Sequence, residues 1–198
     1  SAYPVEQVMR DIKIASIYEG ANGIQALDLI GRKLGLKKGI YFMSLLGEMN
    51  STITKYQGNA ALKDLAGDVH QAANTLAEMA MYFAESSKAG KFMIPVSNAY
   101  PFLMLMSKVV MAWLLLWEAG VAREKLEEIA AGKEIHPADM QNLNLLAKEN
   151  ADAAFYIGKV AAARYFIKHV LPEIDAAVKA VKSEDLSMIE IPDESFAV

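Results

Sequence analysis

Apolar residues recur at three- and four-residue intervals along most of this chain. Phe42, Leu45, Met49, Ile53 and Tyr56 make one such series. Leu62, Leu65, Val69, Ala72, Leu76, Met79 and Phe83 make a longer one. Leu146, Ala153, Tyr156, Val160, Ala163, Ile167 and Val170 make a third. Apolar positions that return about every 3.6 residues line one stripe of a helix, and that stripe is the face it buries. No stretch alternates apolar and polar residues with the β-branched richness of a strand. The pattern predicts an all-α protein built as an antiparallel helical bundle.

The punctuation between these series places the helix ends. Gly58-Asn59 separates the first two, with Asn59 positioned to cap the second. Residues 89–95 (AGKFMIP) read as a loop, with Ser97 or Asn98 as the next cap, and residues 132–137 (GKEIHP) read as another. Pro172 ends the last long helix and can start a shorter one. Four long helices are expected, at about 39–57, 59–88, 98–131 and 138–170, joined by short connections as in a bundle. The tail from Ser183 onward is polar and acidic, with Met188, Ile189, Ile191 and Phe196 as its candidate anchors. There is no internal repeat.

The segment before Gly35 behaves differently. Val5, Val8, Met9 and Ile12 form a short amphipathic pair of turns, and residues 14–20 (IASIYEG) break it as a bent connector. Ile24, Leu27, Ile30 and Leu34 then begin a fresh stripe. Glu19 therefore sits between Tyr18 and Gly20, at or just before the amino end of a helix.

Residues 100–120 (YPFLMLMSKVVMAWLLLWEAG) are apolar for about the length that spans a bilayer. Lys108 stands at their centre, where a lysine in lipid costs about 2.5–3.5 kcal/mol. A central helix of a bundle is the better reading, and no transmembrane segment is expected. The formal net charge of −4 argues against a nucleic-acid partner, whose footprint would be basic. The absence of cysteine removes disulfides, zinc–thiolate sites and thiol nucleophiles. No basic-then-apolar leader opens the sequence, and a cytoplasmic location is the expectation.

Glu19 is the residue with the most chemical promise. A carboxylate at a helix amino terminus feels the positive end of the macrodipole, which favours ionisation. Burial among apolar residues raises its pKa, and a base working near neutral pH needs the two in balance. A simple helix cap is the competing role, and the residues alone leave both open. The other candidates are weaker. His70, His136 and His169 follow Gly67, Lys133 and Phe166 at the i−3 position, so none has the carboxylate spacing of a di-iron bundle, and no metal is expected. Trp113 and Trp117 lie four apart on an apolar helix and read as core. Glu124, Lys125, Glu127 and Glu128 read as a solvated face. Arg10 with Asp11 is a candidate brace for the connector, or an ordinary surface pair.

The run through Tyr3-Pro4-Val5-Glu6, Arg10-Asp11, Lys13-Ile14, Ile17-Tyr18-Glu19-Gly20, Asn22 and Ile24-Gln25 resembles the signature of the acyl-CoA dehydrogenase family. Farther along, Asn98-Ala99-Tyr100-Pro101, Trp113-Leu114, Ala162-Ala163-Arg164-Tyr165 and Val170-Leu171-Pro172 resemble the extra helical domain of its long branch, which includes 3-methylmercaptopropionyl-CoA dehydrogenase-like enzymes. The resemblance implies three units: 1–35 as the end of the dehydrogenase's C-terminal helical domain, 36–182 as the extra helical bundle, and 183–198 as a tail.

The activity implied is α,β-dehydrogenation of an acyl-CoA thioester with FAD as oxidant and an electron-transfer acceptor downstream, in a homo-oligomer. Glu19 matches the base that removes the α-proton. Its backbone N–H would help hold the thioester oxygen, Gly20 would lie against the substrate, and Ala21, Asn22 and Gly23 match positions that touch FAD. The family usually has threonine where this chain has Ala21, and often glutamine or glutamate where it has Gly23. Contacts there are expected from backbone alone, or not at all.

The family encloses flavin and substrate with an amino-terminal helical domain and a central β-domain, neither of which is in these 198 residues. The expectation is the carboxy-terminal part of a longer polypeptide, inactive by itself and binding neither FAD nor acyl-CoA tightly. Two further readings compete. One is a non-catalytic helical scaffold or oligomerisation module. The other is the DNA-binding alkylation-response branch of the family, against which the acidic balance counts.

Overall fold

The computed structural model describes residues 5–16, 21–136 and 139–196. Every regular element among them is helical. In chain order these are α1 (Val5–Lys13), α2 (Ala21–Asp28), α3 (Ile40–Gln57), α4 (Lys63–Lys88), α5 (Met93–Ser97), α6 (Ala99–Ala131), α7 (Met140–Glu149), α8 (Ala151–Tyr165), α9 (Ile174–Val181) and α10 (Ser187–Glu190).

Helices α3, α4, α6 and α8 form the bundle, and cross-helix pairs fix their directions. Thr52 with Trp113 and Lys55 with Glu124 run α3 alongside α6 in the same sense. Phe83 near the end of α4 meets Phe102 near the start of α6, so these two run in opposite senses. Ala153 at the start of α8 clusters with Leu126 and Ala130 near the end of α6, while Lys159 farther on pairs with Glu118 farther back, so α8 also runs opposite to α6. The result is up-down-up-down. Short links leave no other option for consecutive helices that pack together.

The core follows the apolar stripes. All seven positions of the α4 series are buried, as are Met49, Ile53 and Tyr56 of α3. The buried positions of α6 repeat through Phe102, Leu105, Val109, Ala112, Leu116 and Ala119. Because α3, α4 and α8 all pack on α6, this helix is apolar on nearly every side. It is long and apolar enough to cross a membrane by length and composition alone. Lys108, its central charge, is largely covered and pairs with Glu173. A second, smaller cluster joins the end of α6 to α7 and α8 through Leu126, Ala130, Leu143, Leu146 and Ala153.

Several boundaries differ from the periodicity, each for a local reason. The helix expected at 138–170 is two helices. Asn150 is extended (φ −131°, ψ 109°), and its side chain accepts the Ala153 N–H at 2.9 Å, capping α8. Its own N–H closes α7 on the Leu146 carbonyl at 2.9 Å. Leu146 and Ala153 are seven residues, nearly two helical turns, apart, so the sequence stripe runs through the break unseen. Helix α4 starts at Lys63, because Asn59 spends its side chain on the Ala61 N–H (2.9 Å) in a turn of its own. The loop expected at 89–95 contains the start of α5. Asn98 is buried and donates its side-chain amide to the Ile94 carbonyl at 2.9 Å, tying down α5 instead of capping α6.

Helix α2 continues through a wide turn, Leu29–Lys33, closed by the Leu34 N–H on the Leu29 carbonyl at 3.0 Å. The chain then passes through three left-handed residues, Lys37, Lys38 and Gly39, before α3 begins. A left-handed lysine costs roughly 1–2 kcal/mol, so the bend is held by what surrounds it. The buried face of α2 is Ala26 with Leu29, set on α6, whereas Ile24 and Leu27 of the expected stripe are exposed. The tail is pinned at its start. Glu184 accepts from Tyr82 Oη at 2.8 Å and from Lys91 Nζ at 2.7 Å. Its expected anchors Met188, Ile189, Ile191 and Phe196 are 44–72% exposed, so none of them is buried in the core.

Candidate functional site

Glu19 and Gly20, the expected base and its substrate-facing neighbour, lie outside the described residues. Ala21, Asn22 and Gly23 form the first turn of α2, immediately after them. Ala21 is half-buried, and Asn22 and Gly23 are exposed. A Cβ added at Gly23 would meet nothing within 4 Å, so this turn offers an open surface.

What holds the turn in place is farther along the helix. Ala26 and Leu29 seat α2 on α6, and Asp28 accepts from the Arg32 guanidinium at 2.6 and 3.0 Å. Arg32, with Lys33 beside it, holds the Asp28 carboxyl below the ordinary carboxylate range.

Helix α1 has no buried residue, and Val5, Val8, Met9 and Ile12 are 60–71% exposed. Arg10 pairs with Glu6 along the helix at 2.9 Å. An amphipathic helix with its apolar stripe uncovered is half of a packing interface. Ile24 and Leu27 of α2 are likewise exposed.

Other candidate groups resolve into structure. Among the described residues no three metal-ligating side chains converge. Asp64, Asp68, Arg164 and Lys168 tie α4 to α8 and the turn that follows it, with Lys168 to Asp68 as the shortest link. Glu124, Lys125 and Glu128 are exposed and engage in surface pairs, and half-exposed Glu127 accepts from the buried Arg123 guanidinium at 2.7 Å. Trp113 is partly buried and donates to Thr52 at 2.9 Å.

Trp117, read from its spacing as core, is 50% exposed. It lies one position off the buried Ala112–Leu116–Ala119 line. It forms the wall of an apolar groove of about 400 Å³ between α6 and α8, with Leu114, Val121 and Phe155. Sequence reasoning missed this groove because Phe155, on α8, meets α6 only in three dimensions. A second groove, about 500 Å³, lies between α2, α3 and α4 and includes Ile30, Leu34, Phe42 and Met81.

Residues 45–192 match the family described as acetyl-CoA dehydrogenase C-terminal like. The chain belongs to that family. Among curated relatives, it is 28% identical over 200 residues to the broad-specificity linear acyl-CoA dehydrogenase FadE5 of Mycobacterium tuberculosis, a match covering 98% of this chain and 30% of that protein. It is 29% identical over 196 residues to a butyryl-CoA dehydrogenase of Syntrophomonas wolfei, covering 98% of this chain and 29% of the relative. It is 32% identical over 184 residues to the 3-methylmercaptopropionyl-CoA dehydrogenase of Ruegeria pomeroyi, covering 87% and 26%. This acetyl-CoA dehydrogenase C-terminal-like chain thus spans less than a third of the length of the relatives it matches. The family match begins within α3, whereas the relatives also cover the segment that carries residues 17–23.

Proposed function

We propose that this chain is the C-terminal portion of an FAD-dependent acyl-CoA dehydrogenase that introduces an α,β double bond into an acyl-CoA thioester. What carries the reading is the alignment of almost the whole chain with acyl-CoA dehydrogenases, an alignment that includes the segment with Glu19, two residues before α2. Glu19 is the base that takes the α-proton of the thioester. Its backbone N–H donates to the thioester oxygen, and Gly20 admits the substrate closely because it carries no side chain.

The described residues fit one edge of a flavin site. Asn22 is exposed and Gly23 is open, while Ala21 has no hydroxyl to give. FAD, when bound, accepts the β-hydrogen as hydride. This chain's share of the work is to supply the base and to present an apolar surface that excludes water. In the division proposed, 1–35 belongs to the dehydrogenase body, 36–182 is the added helical bundle and 183–198 is its tail. The unpartnered apolar stripe of α1 supports docking of the first unit on a larger body.

The test is Glu19→Gln in the full-length enzyme. Turnover should fall by at least the roughly 10²–10⁴-fold that a positioned base contributes, with acyl-CoA binding largely kept. Near-normal turnover would remove Glu19 from the role. The 198-residue chain alone should purify colourless, and a flavin absorbance spectrum would contradict the division of labour.

A further inference from the structure

A groove of about 500 Å³ lies between the turn after α2, the start of α3 and the end of α4. That volume is within the roughly 300–1,000 Å³ of small-molecule sites. Leu34, Phe42, Met43 and Met81 wall it, and buried Leu46 and Phe83 give it a floor that belongs to the core. Ala77, Ala80 and Ala84 line its length on α4, where short side chains leave a channel. From Ala77 to Ser87 the channel runs roughly 15 Å at 1.5 Å per residue. Met43 and Met81 are each 63% exposed, and unbranched thioether side chains mould to a flexible guest.

One end of this channel is basic. Because α3 and α4 run in opposite senses, the start of α3 lies beside the end of α4, which places Lys38 at the same end as Ser87. Lys88 follows directly. Lys38 is the one charged residue among the described residues that line the groove, and none of them is acidic. Lys38 and Lys88 are exposed, and neither has an acidic partner among the described residues. Lys37 is engaged elsewhere, its ammonium over the Tyr41 ring at 5.5 Å from the centre. Lys37 (φ 48°, ψ 46°) and Lys38 (φ 61°, ψ 32°) are both left-handed, a conformation that glycine takes freely and lysine does not. Strained backbone of this kind gathers at binding sites and ligand clamps.

We propose that this groove binds a monomeric fatty-acid anion, with the alkyl chain along Ala77, Ala80 and Ala84 and the carboxylate at Lys38. The groove is unlike along its length in the way such a ligand is: the apolar walls suit the chain, and the ammonium without an acidic partner suits the head. An extended chain advances roughly 1.25 Å per carbon, so about twelve carbons fill the channel. The inference stands apart from the catalytic reading, since no part of it uses Glu19 or the flavin.

Isothermal titration calorimetry of the 198-residue chain with dodecanoate, kept below its micelle concentration, should show one saturable site with a Kd on the order of 10–100 μM. Octanoate, four methylenes shorter, should bind at least roughly tenfold more weakly. Lys38→Glu should weaken dodecanoate binding by at least roughly fivefold, and Lys38→Arg should keep it. Ala84→Phe, which fills the channel, should abolish it. Both positions are exposed, so these replacements leave the core alone, and an unchanged circular dichroism spectrum checks that. Met9→Glu, on the uncovered stripe of α1, should change nothing. The Lys38-dependent site should persist in the full-length enzyme. No saturable binding overturns the inference and gives the groove to another occupant, such as part of a longer polypeptide. So does binding that Ala84→Phe or Lys38→Glu leaves intact, equal sensitivity to Met9→Glu, or a full-length enzyme that lacks the site.

Discussion

Gly120 sits in the interior of α6, where replacing glycine by alanine ordinarily gains about 1 kcal/mol of helix propensity. The structure reverses that sign. A Cβ at Gly120 would lie 1.9 Å from Tyr56 Cζ and 2.2 Å from its Cε1. Carbon atoms in contact sit about 3.5–4.0 Å apart, so the ring must retreat by roughly 1.5–2 Å or the helices must part. The ring has little room to move. Tyr56 is 2% exposed, packed between α3 and α6, with Lys55 Nζ above it at 4.9 Å from its centre.

Overpacking of this kind costs about 1–3 kcal/mol, and the large overlap places Gly120→Ala at the upper end. After the propensity gain, a net loss of about 2 kcal/mol remains, or roughly 4–8 °C in Tm for a chain of this size. Gly67, on the solvent side of α4, is the matched control. Nothing lies within 4 Å of its added Cβ, so Gly67→Ala should gain the ordinary 1 kcal/mol or so. Thermal unfolding followed by circular dichroism, at one fixed protein concentration, reads both variants. A Gly120→Ala protein that melts at or above the parent would refute the close approach of α3 to α6.

Two other perturbations test local features. Asn150→Ala should destabilise by about 1 kcal/mol in urea titration although alanine is the better helix former, because the cap on Ala153 is lost; a gain in stability would mean that α7 and α8 run on as one helix. Lys91, and then Tyr82, hold the Glu184 carboxyl below its ordinary range. A depressed folded pKa contributes stability above the ordinary value and loses it as pH falls through the depressed one. Amide-exchange protection at Ile189 and Glu190, normalised for intrinsic rates, should therefore hold near neutrality and fall only in acid below about pH 4. Loss of protection between pH 7 and 5 would show that Glu184 does not hold the tail.

The stripes of α3, α4 and α8 were legible in the sequence because burial there is one-sided. A helix with one covered face must repeat its apolar residues at helical spacing, and that repeat survives in one dimension. The family resemblance was legible for another reason: it is carried by matched residues at fixed spacing, from Tyr3-Pro4-Val5-Glu6 to Ile24-Gln25, which can be read without the fold. Glu19 itself lies outside the described residues.

Helix α6 shows where this kind of reading stops. It is apolar all round, so periodicity could not say which positions face the core and which face outward. Trp117 and Leu116 are chemically alike in sequence, yet one is half-exposed and the other is buried. The break at Asn150 was hidden because seven residues nearly complete two turns. A single extended residue there leaves the stripe in phase.

By itself, then, the sequence determined the helices and the faces they bury when burial is one-sided. The tertiary structure alone decided which side of the central helix stays open, how closely Tyr56 approaches Gly120, and that Phe155 joins Trp117 in one groove. Those facts belong to pairs of residues far apart in the chain. Such pairs are set by how helices pack against one another, and a pattern along one helix carries no record of its neighbours.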